Sequence, residues 1–293
     1  MLNIKNNHNK IIERITFSVL LTIAAGCASF ISISYAINQQ KLDRRHQEIM
    51  QQLQELKRIA DEKEAKRLEP VYITLPNAQP VRAIVSDYHQ TDNIWKLVSK
   101  TSPISDTYIP ANLKIPNVST HPGKSDDERS VRADIEQPLI DMFVTAQAEG
   151  YSLMIGSGYR SANLQSIYFN SLARAVGEAA ANQSIARPGQ SEHQTGLAVD
   201  ISTVARNCYL SNCFAETNDG IWLANNSYKY GFIIRYPKGK ESITGYGYEP
   251  WHFRFVGVDL ATAIYVSGLT FDEVQPYIET ARNQLISNEA LVL

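Results

Sequence analysis

Residues 15–37 (ITFSVLLTIAAGCASFISISYAI) form 23 consecutive positions without a charged side chain. At ~1.5 Å rise per residue, a helix over them reaches roughly 34 Å, enough to cross the hydrocarbon core of a bilayer. This run divides the chain, setting residues 1–14 apart from everything after residue 37. Lys5, Lys10 and Arg14 precede it and favour a cytoplasmic N-terminus; Lys41, Arg44 and Arg45 follow it and weaken that bias without reversing it.

Two other fates fit the same residues. One is a cleaved signal peptide; the other is a lipoprotein whose AAGC box ends at Cys27 and makes it a lipid anchor. Against both, the apolar run continues through Phe30, Ile31, Ile33 and Ile37, and Ala24 stands where a lipoprotein box usually carries a larger aliphatic. The expectation is a single-pass anchor in the cytoplasmic membrane over 15–37, with 1–14 in the cytoplasm. All three readings put the remainder outside the cytoplasm, in the periplasm or on the cell-wall side.

Composition changes sharply at residue 38. Of the 32 residues 38–69, eight are basic and seven acidic, with no Gly or Pro, and Leu42, Ile49 and Leu56 recur every seven. That is a charged helical stalk with a thin apolar seam. His46, Lys63 and Arg67 interrupt the seam, so a solvated spacer is favoured over self-association through the stalk. Pro70 ends it, and 70–95 reads as a linker with at most one short strand.

The whole chain holds 28 Lys+Arg against 30 Asp+Glu, a net charge of −2. Such balance argues against nucleic acid as a partner, since binding to a polyanion rests on excess positive charge. Hydrophobic residues at 44% and charged residues at 20% exclude wholesale disorder. Three cysteines are too few for a disulfide-built scaffold. Outside the cytoplasm, Cys208 and Cys213 are expected to form a local disulfide.

Residues 96–293 read as one α+β domain, with helices flanking a small, mostly antiparallel sheet. Val131, Ile135, Leu139, Phe143 and Ala146 mark a helix over 130–149, with Pro138 either kinking it or marking its start. A second helix is expected over 162–181. Strands are expected over 151–157, 197–202 and 231–236, and where Trp251, Phe253 and Phe255 alternate with His252 and Arg254.

Polar residues interrupt these strands in a pattern that suggests chemistry. His193 lies seven residues before Asp200, and Glu249 three before His252. Two imidazoles and one carboxylate suit a single catalytic zinc with a fourth position left for water. Glu249 is the natural proton acceptor, and Pro250 places it on a turn or at the start of a strand rather than in a helix. Taken singly, His252 beside an aromatic strand reads first as a satisfied core residue. Asp200 is harder to explain that way, because a carboxylate in an apolar strand costs several kcal/mol unless paired or metal-bound.

Three blocks, SGYRSANLQ (157–165), SEHQTGLAVDIS (191–202) and GYEPWHFRFVG (247–257), resemble the signature blocks of VanY-type D-alanyl-D-alanine carboxypeptidases. These are zinc peptidases of the lysostaphin/D-Ala-D-Ala-metallopeptidase/hedgehog superfamily. The resemblance implies that fold for the domain and one Zn²⁺ held by His193, Asp200 and His252. It implies Glu249 as general base and Arg160 as the cation that polarises the scissile carbonyl. Ser191 and Gln165 match positions lining the peptide groove, and Trp251 reads as packing beside it. The implied partner is a peptidoglycan stem peptide ending in D-Ala-D-Ala, from which the terminal D-Ala is hydrolysed. The alternatives are an L,D-carboxypeptidase or a peptidoglycan endopeptidase on the same centre, and a non-catalytic zinc-containing binding module.

Overall fold

The computed structural model describes residues 2–67, 71–83 and 90–290. The last stalk positions, 68–69, and the middle of the expected linker, 84–89, lie outside the described residues. The chain divides into two compact units, residues 1–67 and 68–293.

The first unit is one helix, α1 (Leu2–Arg67), running through both the apolar run and the charged stalk. No proline occurs before Pro70 and Gly26 is the first glycine, so nothing breaks it. The helix is long and apolar enough to cross a membrane, as an anchor or a signal sequence would be. Phe17, Leu20, Phe30 and Ile31 are exposed along it. In the stalk, Arg58 pairs with Glu55 and Glu62, both at 2.6 Å, the one-turn spacing that supports a solvated helix.

The second unit opens with the strands β1 (Val71–Ile73) and β2 (Val81–Ala83). Then come β3 (Leu113–Lys114), the short helix α2 (Asp126–Arg129), β4 (Val131–Arg132) and α3 (Ala133–Ala148). Next are β5 (Leu153–Ser157), α4 (Ala162–Val176), α5 (Glu178–Ser184) and β6 (Ala198–Thr203). The chain continues with α6 (Asn218–Asn226), β7 (Phe232–Tyr236), α7 (Glu241–Thr244) and β8 (Glu249–Phe255). It closes with α8 (Val258–Ser267) and α9 (Phe271–Ala290).

The main sheet has the order β5-β6-β8-β7 and every neighbouring pair is antiparallel. Strand alternation sorts its faces. Leu153, Ile155, Val199, Ile201, Phe232, Phe253 and Phe255 join one core with Ile135, Leu139 and Met142 of α3 and Trp222 of α6. The intervening residues, among them Asp200 and His252, occupy the other face. Asp200 stands directly opposite His252 in the β6–β8 register.

Two details differ from the sequence reading, and a third chooses between its alternatives. The segment expected as a linker contributes to a second core: Ile73, Leu75, Val81 and Trp95 pack with Leu260, Ile264, Phe271, Val274 and Ile278. Strands of three residues are too short to show alternation, and their packing partners lie at the far end of the chain. The helix expected over 162–181 is two helices, broken at Gly177, whose φ of +87° is left-handed. Pro138 neither starts nor ends α3; it sits in its second turn.

Candidate active site

The site forms where the polar face of β6 and β8 meets the loop carrying residues 191–196. A 3₁₀ turn over Glu192–Thr195 is closed by Gly196 at φ +68°. A Cβ there would come within 3.1 Å of the Arg132 backbone nitrogen, so both the conformation and the close approach require glycine. This turn buries His193, 3% exposed, against the sheet. Its Nδ1 lies 2.7 Å from the Gly158 carbonyl oxygen, which can only accept, so Nδ1 carries the proton and Nε2 is the free lone pair. Gly158 is itself wedged in place: a Cβ would sit 2.2 Å from the Ser130 carbonyl oxygen.

His193 Nε2 is 3.3 Å from Asp200 Oδ2, and His252 Nδ1 is 3.4 Å from Asp200 Oδ1. The three ligand atoms of His193, Asp200 and His252 lie within 4.8 Å of one another, and all three residues are buried. Asp200 Oδ1 has no hydrogen-bond partner among the described residues. A tetrahedral ion with bonds of about 2.0–2.1 Å spaces its ligands about 3.4 Å apart, so the donor set and its spacing fit a metal.

Electrostatics point the same way. Burial alone would raise the Asp200 carboxyl, yet His193 and His252 hold it far below the usual carboxylate range. Burial pushes His193 down, with Arg160 adding to that effect. Burial also works against a charged His252, but the carboxylates of Asp200 and Glu249 outweigh it and push it up to about 9. The carboxylates of Asp200 and Glu249 therefore favour positive charge at this centre, whether a proton on His252 or a bound cation.

Glu249 is the first residue of β8 and its carboxylate, 19% exposed, lies 3.4 Å from His252 Nδ1. Arg160 follows β5 and lies 3.6 Å from Asp200 Oδ2. Its Nη1 donates to Gln165 Oε1 and its Nη2 to Ser157 Oγ, both at 3.0 Å, while its Nε is buried without a partner. The guanidinium sits 5.2 Å over the Tyr168 ring. Together these groups line a cavity of about 410 Å³.

The family model described as VanY, D-alanyl-D-alanine carboxypeptidase, matches residues 128–258. The Bacillus subtilis (strain 168) protein YodJ is 44% identical over 182 residues, which cover 62% of this chain and 67% of YodJ. A structure of the LdcB LD-carboxypeptidase matches at TM-score 0.61 and 43% identity, covering 64% of this chain and 87% of that one. A mutant of the vancomycin resistance D,D-pentapeptidase VanY, in complex with Zn(II), matches at TM-score 0.51 and 35% identity, covering 62% of this chain and 98% of that one. The chain belongs to the VanY family of D-alanyl-D-alanine carboxypeptidases.

All seven residues singled out from the sequence meet in this one VanY-family cavity: Arg160, Gln165, Ser191, His193, Asp200, Glu249 and His252. Gln165 is less free than a groove residue would be. It is 1% exposed, and its amide is spent on Arg160 and, at 2.7 Å, on the Ala186 carbonyl oxygen. Its place is behind Arg160. Trp251 lines the same cavity.

Other wall residues escaped the sequence reading, among them Lys124, Tyr168, Leu172, Leu210, Tyr236 and Tyr246. Lys124 and Tyr168 are held by Glu128, whose carboxylate accepts from Lys124 Nζ at 2.7 Å, Tyr168 OH at 2.6 Å, Ser125 Oγ at 3.0 Å and Ser125 N at 3.2 Å. Leu210 is presented by a loop that the Cys208–Cys213 disulfide closes. Arg206, Cys208 and Leu210 are all left-handed in this loop, and Tyr209 OH ties it to the Gly156 carbonyl oxygen at 3.1 Å. The CYLSNC spacing signalled the bridge but not the wall it supports.

Proposed function

We propose that this chain is a zinc-dependent D,D-carboxypeptidase that removes the terminal D-alanine from peptidoglycan stem pentapeptides. The observation that carries the reading is the buried His193–Asp200–His252 set at ligand spacing, with Glu249 and Arg160 opening onto the same cavity. The Zn(II) complex and the D,D-pentapeptidase description of a family structure support the metal and the reaction. A zinc ion on the triad would polarise the scissile carbonyl and lower the pKa of a water beside it.

The chain's own residues divide the remaining work. Glu249 stands at the cavity wall with its carboxylate partly solvent-accessible, placed to take the proton of the attacking water and deliver it to the departing D-alanine amine. Arg160 cannot swing away, being pinned by Gln165 and Ser157. Its guanidinium, which lines the cavity beside Asp200, is the fixed cation placed for the oxygen on which negative charge develops. Leu172, Ile185, Leu210 and Trp251 give the cavity an apolar side suited to alanine methyl groups. Helix 15–37 would hold the enzyme at the cytoplasmic membrane with its domain facing the wall.

One observation favours a second reading, an L,D-carboxypeptidase acting on tetrapeptides: LdcB matches at a higher TM-score and identity than the D,D-pentapeptidase. The deciding experiment offers the zinc-loaded protein a muropeptide pentapeptide and, separately, a tetrapeptide, with products read by mass spectrometry. Loss of one alanine from the pentapeptide alone, abolished by chelation and restored by zinc, is expected. Trimming of the tetrapeptide instead establishes the L,D reading, and cleavage of neither removes both.

A further inference from the structure

Beneath the cavity lies a second cluster of charge that the reaction does not use. Glu192, Arg235 and Arg254 are each 0% exposed. Burying one such ion costs several kcal/mol unless its hydrogen bonds are made elsewhere. Here nearly all of them are made. Arg235 Nε and Arg254 Nη1 both donate to Glu192 Oε1 at 2.8 Å. Arg235 turns its other nitrogens to the Asp272 carboxylate. Arg254 Nη2 donates to the carbonyl oxygens of Ile94 at 2.8 Å and Lys96 at 2.9 Å, and its Nε to that of Phe255 at 3.1 Å.

The exception is Glu192 Oε2. It is buried without a hydrogen-bond partner among the described residues, and so is His252 Nε2. The two orphans face each other at 3.9 Å. The separation exceeds a hydrogen bond by only about 1 Å, and a buried polar atom left unpaired is destabilising. The other nitrogen of the ring, Nδ1, faces Asp200 and Glu249. The imidazole thus has an inner edge toward the proposed metal position and an outer edge toward Glu192.

We propose that Glu192 is the positioning residue for His252. Its Oε2 accepts the Nε2–H, which fixes the tautomer and turns the Nδ1 lone pair toward the metal. Arg235 and Arg254 lock the carboxylate so that only this oxygen remains to be used. A carboxylate behind a ligating imidazole raises its basicity and fixes its plane. The arrangement is economical in sequence: Glu192 directly precedes the ligand His193, and Arg254 lies two residues beyond His252 on the same face of β8. His193 is oriented differently, by the Gly158 carbonyl. The inference rests on the metal reading of the His193–Asp200–His252 site.

The test uses the full chain in detergent, with zinc alone as the probe. Zinc affinity is measured by competition with a chromophoric chelator for the wild type, Glu192→Gln and Asp272→Asn. Asp272→Asn loosens the same charge cluster from its far end without touching Glu192. Glu192→Gln is expected to bind zinc about 10–100-fold more weakly, while Asp272→Asn lowers the melting temperature and leaves zinc affinity within about threefold of wild type. Equal zinc affinity in a folded Glu192→Gln protein would overturn the proposal, and so would equal losses in both variants, since that marks a purely structural cluster.

Should Glu192→Gln fail to fold, the wild type still decides. With ¹⁵N-histidine labelling and ¹¹³Cd in place of zinc, His252 must show metal coupling at Nδ1 and a protonated Nε2. Coupling at Nε2 refutes the assignment. A wild type that binds no zinc removes the metal reading itself, an outcome distinct from a zinc-binding wild type matched by Glu192→Gln.

Discussion

Replacing Glu128 with glutamine tests whether the cavity wall is held by charge. Its carboxylate, 7% exposed, gathers Lys124, Tyr168 and Ser125. Burial works to raise its pKa, but the hydrogen bonds from Lys124 and Tyr168 overcome that and hold it at about 2 against an ordinary 4.5. At ~1.36 kcal/mol per pH unit, that difference sets an upper bound of about 3 kcal/mol on its contribution to folding. Solvent access at the cavity mouth brings the expectation to about 2 kcal/mol. The folded-state value is depressed, so the contribution is complete above the unfolded value of 4.5 and disappears as pH falls through about 2. Urea unfolding of the full chain in detergent, followed by tryptophan fluorescence, reads this unit alone, because Trp95, Trp222 and Trp251 all lie beyond residue 67. Glu128→Gln should lose about 2 kcal/mol relative to wild type at pH 7, and the gap should shrink to less than half at about pH 3. A gap that stays constant between those pH values, or that is absent at pH 7, would refute the charge-held wall.

Glu249→Gln should lower kcat for pentapeptide trimming by about 10²–10⁴-fold while zinc stoichiometry, read by elemental analysis, stays at wild type; loss of zinc along with activity would show that Glu249 ligates rather than transfers protons. Ile73→Ala, at a residue 1% exposed in the second core, should cost about 2–4 kcal/mol in urea unfolding with kcat of the folded protein unchanged. No loss would mean that the 71–83 hairpin is a tether after all. The double variant Cys208→Ser/Cys213→Ser frees the loop carrying Leu210 and should raise KM severalfold with kcat and bound zinc preserved; an unchanged KM would show that this wall does not touch substrate.

Much of the domain was legible because two periodicities coexist in its strands. In 251–255, the aromatic residues took one face and His252 and Arg254 the other, as alternation required, and register then set His252 against Asp200. Glu249 fell at the start of β8, as Pro250 implied. What could not be read depended on partners distant in sequence. The β1–β2 hairpin has meaning only against α8 and α9, and Leu210 and Tyr168 become wall residues only when their loop and helix meet at the cavity. The clamp on His252 did leave a trace: Arg235 and Arg254 stand in apolar strands, and an arginine in such a strand must have an acidic partner. Glu192, beside His193, was available to supply it.

The hairpin at 71–83 has a consequence for how the domain comes into being. Ile73 and Val81 pack on Phe271, Val274 and Ile278, which follow them by about 200 residues. The first segment of the domain to be synthesised therefore waits for partners in α8 and α9, near the far end of the domain. All the proposed zinc ligands are delivered before α9 exists. A chain cut short ahead of residue 271 would carry every proposed zinc ligand together with a hairpin stripped of its α9 partners, and such a partly bared segment opens more readily to proteolysis. Packing of the hairpin on α9 thus joins two segments that bracket every proposed zinc ligand in the sequence.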